Sequence, residues 1–401
     1  MTPHPLPTAA PRTPAEIVRA LLASTQVGAA FRFFETQAAA ITDEQIAICS
    51  IPAPPFGEGE RASYLREKFQ QSGLSETQID DEGNCVGVRR GRKVGEDAIV
   101  ISAHLDTVFP PGTNCAVRHE AGGKLLAPGI ADDSCGLAAL LALLRALEDS
   151  RIETRSTILF VGTVGEEGEG NLRGVRHLLT RGEWAGRVNS FVSLDGPGTE
   201  RITHVALGSR RYRVALRGSG GHSWGDFGIA NPVHALGRAI ARLAAYPVPA
   251  SPRTTFNVGR VSGGAGVNVI PQEATMDVDL RSEAAEELQR LDAFFRRAVR
   301  EAMDDENALR LPQTPPLKLD LQLIGDRPSG RTPSDAPLVS LAEEATRALG
   351  SRPVLDCSST DANVPIALGI PAITIGAGGA SSHSHTLHEW YDPRGRDLGL
   401  K

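Results

Sequence analysis

Hydrophobic and polar positions along this chain follow two different periods, and the change of period marks its organisation. Helical spacing of apolar residues covers Pro14 to Ala23, about Phe31 to Ser50, and Arg61 to Gly73, where a glycine suits a helix C-cap. Short apolar runs then alternate with helical segments. Ala98 to Ser102 (AIVIS), Thr157 to Val164 (TILFVGTV), Ser190 to Leu194 (SFVSL) and Ala372 to Ile375 (AITI) read as strands. Gly136 to Ser150, Leu172 to Thr180 and Pro337 to Leu349 read as helices. Such alternation implies an α/β protein with a mostly parallel sheet flanked by helices.

The middle of the chain changes period. Arg211 to Arg217, Thr254 to Val261, Ala274 to Leu280 and Leu317 to Ile324 alternate like half-exposed strands. Pro232 to Ala245 and Glu283 to Asp304 are helical. Two helices among four alternating strands predict an α+β sandwich inserted at about 208–326. The larger domain then comprises 13–207 and 327–401, and Asp326 to Asp335 (DRPSGRTPSD) has the composition of a linker. Residues 1–12, rich in Pro and Thr, read as a disordered tail and not as a signal peptide.

Composition narrows the function classes. Of 401 residues, 41% are hydrophobic and 22% charged, so a substantial core can form. A net charge of −6 without basic runs argues against a nucleic-acid partner. No run reaches the roughly 20 apolar residues needed to span a bilayer, so no membrane role is expected. Five cysteines, an odd number without a CxxC pair, predict free thiols in a reducing, cytoplasmic setting.

Five clusters carry chemistry. His104-Leu105-Asp106 follows AIVIS, and its spacing puts both polar side chains on one face of an extended chain. By itself it also fits a histidine satisfied at a strand end. Asp132, within GIADDSCG, precedes a helix, where Asp132, Asp133 or Ser134 could equally serve as a cap. Glu166 and Glu167, within GEEGEG, follow TILFVGTV; they suit a cation or a solvated acidic turn. Asp195 follows SFVSL and also fits a turn before Gly196. The tract HSHTLHEW offers His383, His385 and His388. The conjunction decides among these readings. Four clusters stand at or just past the carboxyl ends of strands, where ligands of open α/β sheets gather. Mixed N/O donors suit zinc, with cobalt or manganese as substitutes, and five donors exceed the need of one catalytic ion. They fit two ions sharing a bridging carboxylate.

At these residues, over about 85–401, the chain strongly resembles the M20 family of metallopeptidases. HLDT, GIADDSCG, GEEGEG, SLDG and HTLHEW occur in the family's order and at compatible spacing. The resemblance implies two zinc ions per subunit. His104 and Asp195 would bind one, Glu167 and His385 the other, with Asp132 bridging. Asp106 would orient His104, and Glu166 would act as general base. The family's last motif selects His385 over His383 and His388. The resemblance also makes the insert a lid and dimerisation domain. In it, His222 of GGHS would steady an oxyanion across a homodimer interface, and Asn268 and Arg281 would bind a substrate carboxylate. Ser134-Cys135 departs from the family, which often has a lysine two residues after the bridging aspartate. His4, His119, His177, His204 and His234 match no motif and read as structural or exposed.

The expected activity is cleavage of an amide bond in a small peptide. The runner-up is deacylation of an N-acyl amino acid. A non-catalytic metal-binding protein of the same fold is a third reading, and an intact Glu166 argues against it, since a binder needs no proton shuttle.

Overall fold

The computed structural model describes residues 12–93, 97–120 and 122–401. The expected tail falls outside them except for Arg12. The chain then enters helix Pro14–Leu22 through a capping box, in which Thr13 and Glu16 satisfy each other's backbone N–H groups and Pro14 opens the first turn.

Two compact units form. The first comprises the chain up to His204, Thr332–Asp356 and Thr360–Lys401; the second comprises Val205–Arg331 with Cys357–Ser359. In the first unit, strands Ile158–Thr163, Ala98–His104, Val188–Leu194 and Ala372–Ile375 lie side by side in that order, each parallel to the next. Antiparallel strands flank this centre: Glu76–Ile79 and Cys85–Arg89 on one side, Arg201–Ala206 on the other. The result is a mixed α/β fold with a mainly parallel central sheet flanked by helices. Helix Ser134–Asp149 packs its Leu137, Leu140, Leu141 and Leu144 into the core with Leu65, Phe69 and Phe160.

Several elements differ from expectation. The stretch expected as one helix from Phe31 to Ser50 is two helices, Thr25–Thr36 and Ala38–Cys49. Gln37, with ψ of 11°, leaves the helical region between them. The apolar period runs on through the joint, so patterning could not reveal it. Leu172, expected to open a helix, instead adopts a left-handed conformation with φ of 60°, and the helix is Arg173–Thr180. ETQI at Glu76–Ile79 holds a single large apolar residue, too little pattern to mark a strand.

A small antiparallel sheet in this unit joins Ala380–Ser382, Trp390–Asp392, Leu125–Leu126 and Arg118–His119. It fixes both ends of the loop bearing the three clustered histidines. No single helix among the described residues is long and apolar enough to cross a membrane.

The second unit is a four-stranded antiparallel sheet ordered Thr254–Gly263, Glu273–Ser282, Gly208–Arg217, Lys318–Arg327. Along Glu273–Ser282 burial alternates residue by residue. The buried side, including Met276, Val278 and Leu280, packs with Leu236 of helix Pro232–Ala244 and with Leu291 and Phe295 of helix Ala285–Ala308.

Candidate metal centre

The parallel strands deliver their polar residues at their carboxyl ends. His104 closes its strand beside Thr163, and Asp195 directly follows Leu194. After Thr163 the chain turns through Gly165, whose φ of +67° favours glycine, and presents Glu166 and Glu167. Asp106 holds that tip. Its buried carboxylate accepts the backbone N–H of Glu166 at 3.0 Å and of Glu167 at 2.7 Å.

Asp106 was expected to orient His104. The closer partner of His104 Nδ1 is the Asp106 backbone carbonyl at 3.0 Å, while the carboxylate oxygen lies 3.7 Å away. A carbonyl can only accept, so Nδ1 carries the proton and Nε2 is the nitrogen left to face the centre. Nε2 lies 2.9 Å from Asp132 Oδ1. The other oxygen, Asp132 Oδ2, lies 3.0 Å from His385 Nε2, which also lies 2.9 Å from Glu167 Oε1. Approaches this close between acceptors need positive charge between them, supplied by a proton or a cation.

Donor atoms of His104, Asp132 and Asp195 lie within 4.8 Å of one another, as do those of Asp132, Glu167 and His385. The two triads share Asp132, one carboxylate oxygen facing each histidine. His104, Glu166 and Glu167 form a third group equally close. Two imidazoles and three carboxylates form a donor set suited to two divalent cations. His385 is half exposed, so the centre opens to solvent on its side.

The electrostatics express the same crowding. Burial opposes a charged His104, but Asp132, Asp133 and Asp106 outweigh it and hold the imidazolium well above its ordinary range. Hydrogen bonds to Asp132 and Glu167 push His385 up to about 10. Burial, with Asp132 beside it, pushes Asp195 up to about 6. Asp132 itself lies below the usual carboxylate range: burial works against this, and His104 and His385 prevail.

Four supporting residues escaped the sequence reading as site residues. Glu389 is fully buried, and its carboxylate accepts the N–H groups of Gly129 (3.0 Å), Ala131 (2.8 Å) and Asp132 (2.9 Å). Burial pushes it up to about 7. Its place in HTLHEW was the available signal. Asp133 is the helix cap: one oxygen accepts from Gly136 at 3.1 Å and Gly196 at 3.2 Å, the other from the His104 N–H at 3.1 Å. It therefore ties together the loops of His104, Asp132 and Asp195, and any Cβ at Gly136 would meet its carboxylate at 2.3 Å. Arg61, 1% exposed, clamps the Leu105 carbonyl at 2.8 Å and the Ile51 carbonyl at 2.6 Å. Asp361 is buried behind the strands; it accepts from the Thr163 hydroxyl, and burial pushes it up to about 6.

In the second unit, His222 Nδ1 accepts the backbone N–H groups of Trp224 and Gly225, both at 3.2 Å. That fixes the proton on Nε2 and makes this exposed nitrogen a donor. Arg281 Nε donates to Asp279 at 2.6 Å, so the guanidinium is anchored locally. The Asn268 backbone carbonyl accepts from Ser223 N–H at 3.0 Å, joining the two loops.

Residues 100–399 match the model of peptidase family M20/M25/M40. The chain belongs to this family. It is a hydrolase of the M20 peptidase and amidohydrolase group. Acetylornithine deacetylase of Myxococcus xanthus is 26% identical over 335 residues, covering 79% of this chain and 83% of the relative. The fold matches a tripeptidase from Staphylococcus aureus subsp. aureus Mu50 with TM-score 0.74 and 20% identity, covering 90% of this chain and 95% of that one. It also matches YxeP of Bacillus subtilis, described as a dinuclear metal-binding peptidase from the M20 family, with TM-score 0.65 and 18% identity, covering 91% and 98%.

For an M20 chain with these two raised histidines, metal uptake should displace protons. Both imidazoles are charged near neutral pH without metal and must be neutral to ligate. Zinc binding at pH 7.5 is expected to release about two protons per chain. The His385 share should disappear as pH rises through about 10. Calorimetry in buffers of different ionisation enthalpy measures this, and a release near zero at pH 7.5 would remove both histidines from the ligand set.

Proposed function

We propose that this M20 hydrolase uses two zinc ions to cleave the amide bond of small peptides, di- or tripeptides foremost. The observation that carries the reading is the shared Asp132 carboxylate, with one oxygen toward His104 and the other toward His385. In this reading His104 and Asp195 would hold one ion and Glu167 and His385 the other, with Asp132 shared between them. The chemistry such a pair of ions would supply there is polarisation of the scissile carbonyl and acidification of the attacking water. Glu166 takes that water's proton and passes it to the leaving nitrogen. Asp106 positions Glu166 and Glu167 through their backbone amides and His104 through its own carbonyl.

The second unit supplies the rest. His222, a donor at Nε2, steadies the developing oxyanion from the partner copy in a homodimer formed through 208–326. Asn268 and Arg281 hold the substrate's carboxylate. Among the described residues no cysteine is in a disulfide, and a reducing, cytoplasmic setting belongs to this reading.

A tripeptidase among the similar folds favours peptides. An acetylornithine deacetylase among the relatives keeps N-acyl amino acids as the second reading. Hydrolysis of matched panels of dipeptides and N-acyl amino acids, with zinc or cobalt added, decides between them. Faster turnover of the N-acyl panel would replace the first reading with the second. Two bound metals with no turnover of either would leave a metal-binding protein.

The ligand choice in the histidine tract has its own test. His385→Ala is expected to lose metal and activity, and His383→Ala and His388→Ala far less. Metal analysis of the three variants measures it. Loss of metal in His383→Ala instead would place the ligand two residues earlier.

A further inference from the structure

Asp132 presents one carboxylate oxygen toward His104 and the other toward His385, yet it stands in a turn between strand Leu125–Leu126 and helix Ser134–Asp149. Residues 129–132 carry four backbone N–H groups. One, from Ile130, donates to the Ala127 carbonyl at 3.2 Å. The other three converge on Glu389: Oε2 accepts from Gly129, and Oε1 from Ala131 and Asp132. Carbonyls of the same turn are held from elsewhere, Gly129 by the Ser134 hydroxyl and Ile130 by the Gln45 amide, both at 2.6 Å. The Glu389 backbone joins the turn as well. Its carbonyl accepts the Ala127 N–H at 3.2 Å, and Trp390 pairs with Leu126. In the other direction Glu389 follows His385 by four residues, and its N–H donates to the Thr386 carbonyl at 3.2 Å. A buried carboxylate must be matched by donors. Here the donors are the amides that carry one candidate ligand, and the acceptor ends the loop that carries another.

We infer that Glu389 is a positioning residue that locks the Asp132 loop to the His385 loop and so couples the two halves of the metal centre. The inference rests on the proposed two-ion reading, in which Asp132 is shared. Asp132 has one backbone to serve both ions, so a shift of its loop displaces both carboxylate oxygens together. Removing His385 takes a donor from one ion. Loosening Glu389 acts on both, although Glu389 ligates neither. Loss of a partner that orients a metal ligand commonly weakens metal binding about 10- to 100-fold.

The test measures zinc affinity by competition with a chromophoric chelator for wild type, Glu389→Gln, Glu389→Asp and His385→Ala, each checked for folding by circular dichroism. Glutamine has a single accepting oxygen, so at least one of the three N–H groups loses its acceptor. Aspartate keeps the charge and withdraws it by one methylene. Both Glu389 variants are expected to bind each of the two ions about 10- to 100-fold more weakly than wild type. His385→Ala should weaken chiefly one. A role in stability alone would lower the melting temperature and leave the affinity of the folded protein unchanged. Unchanged affinities, or weakening of one ion only, would overturn the inference while leaving the two-ion reading in place. Wild-type affinities in Glu389→Asp would overturn it too, since charge and not reach would then be the cause. Hydrogen exchange over 129–132 in metal-free wild type decides the matter if the variants do not fold. These amides are expected to exchange slowly before any ion binds. Fast exchange that slows only when zinc is added would mean that the ions hold the loop, and the inference would fall. Fewer than two ions bound to wild type would remove the two-ion reading, and the inference with it.

Discussion

Glu166→Gln is expected to keep about two metals per chain and to lose on the order of 10²–10⁴-fold in turnover or more. Glutamine has the shape of glutamate but cannot accept the water's proton. The backbone that carries residue 166 is held by Asp106 through N–H groups that the substitution leaves in place. In the proposed assignment His104, Asp195, Asp132, Glu167 and His385 provide the donors, and Glu166, which also stands close to His104 and Glu167, is left for the proton. Metal analysis together with steady-state kinetics separates the two effects. A near-normal rate would sink the proton-transfer role, and a loss of metal would make Glu166 a ligand.

His222→Ala should cost about 10²–10³-fold in kcat, the usual loss when one oxyanion donor is removed. The fixed tautomer makes the expectation specific: the Trp224 and Gly225 amides occupy Nδ1, so Nε2–H is the only donor the neutral ring offers. Subunit complementation tests whether the donor acts across a dimer. Inactive His222→Ala and inactive Glu166→Gln proteins are mixed under conditions that allow exchange. Random exchange makes about half of the dimers mixed, each with one repaired site, so roughly a quarter of wild-type activity should return under two-fold symmetry. No recovery, with exchange confirmed independently, would mean that His222 serves its own chain or none.

The regular elements were legible because their signals are local. AIVIS, TILFVGTV, SFVSL and AITI are continuous apolar runs, as expected of strands buried on both faces, and all four pair in parallel at the centre of the sheet. Strand periodicity also marked the alternating segments of the second unit as strands, and the structure pairs them in one antiparallel sheet. The polar clusters were legible for a related reason. A single histidine or carboxylate just after a buried strand also fits a cap or a turn, and the conjunction of several reduces the weight of accident.

What the sequence determined by itself was the fold class and the set of side chains gathered at the strand ends, since both follow from local period and residue chemistry. Tertiary structure decided which atoms of those side chains meet. Asp132 and Asp133 are neighbours of the same type, and only packing turned one toward His104 and His385 and gave the other to the amides of Gly136 and Gly196. Three histidines stand within six residues, and the loop conformation, with φ of 66° at His385, brings this ring to Asp132 and Glu167. Glu389 reaches amides 257 to 260 residues earlier in the chain, and Arg61 a carbonyl 44 residues later. Such bonds leave no trace in local periodicity. They form because burial deprives these carboxylates, amides and carbonyls of water, so each must find a partner that folding, and not sequence proximity, supplies.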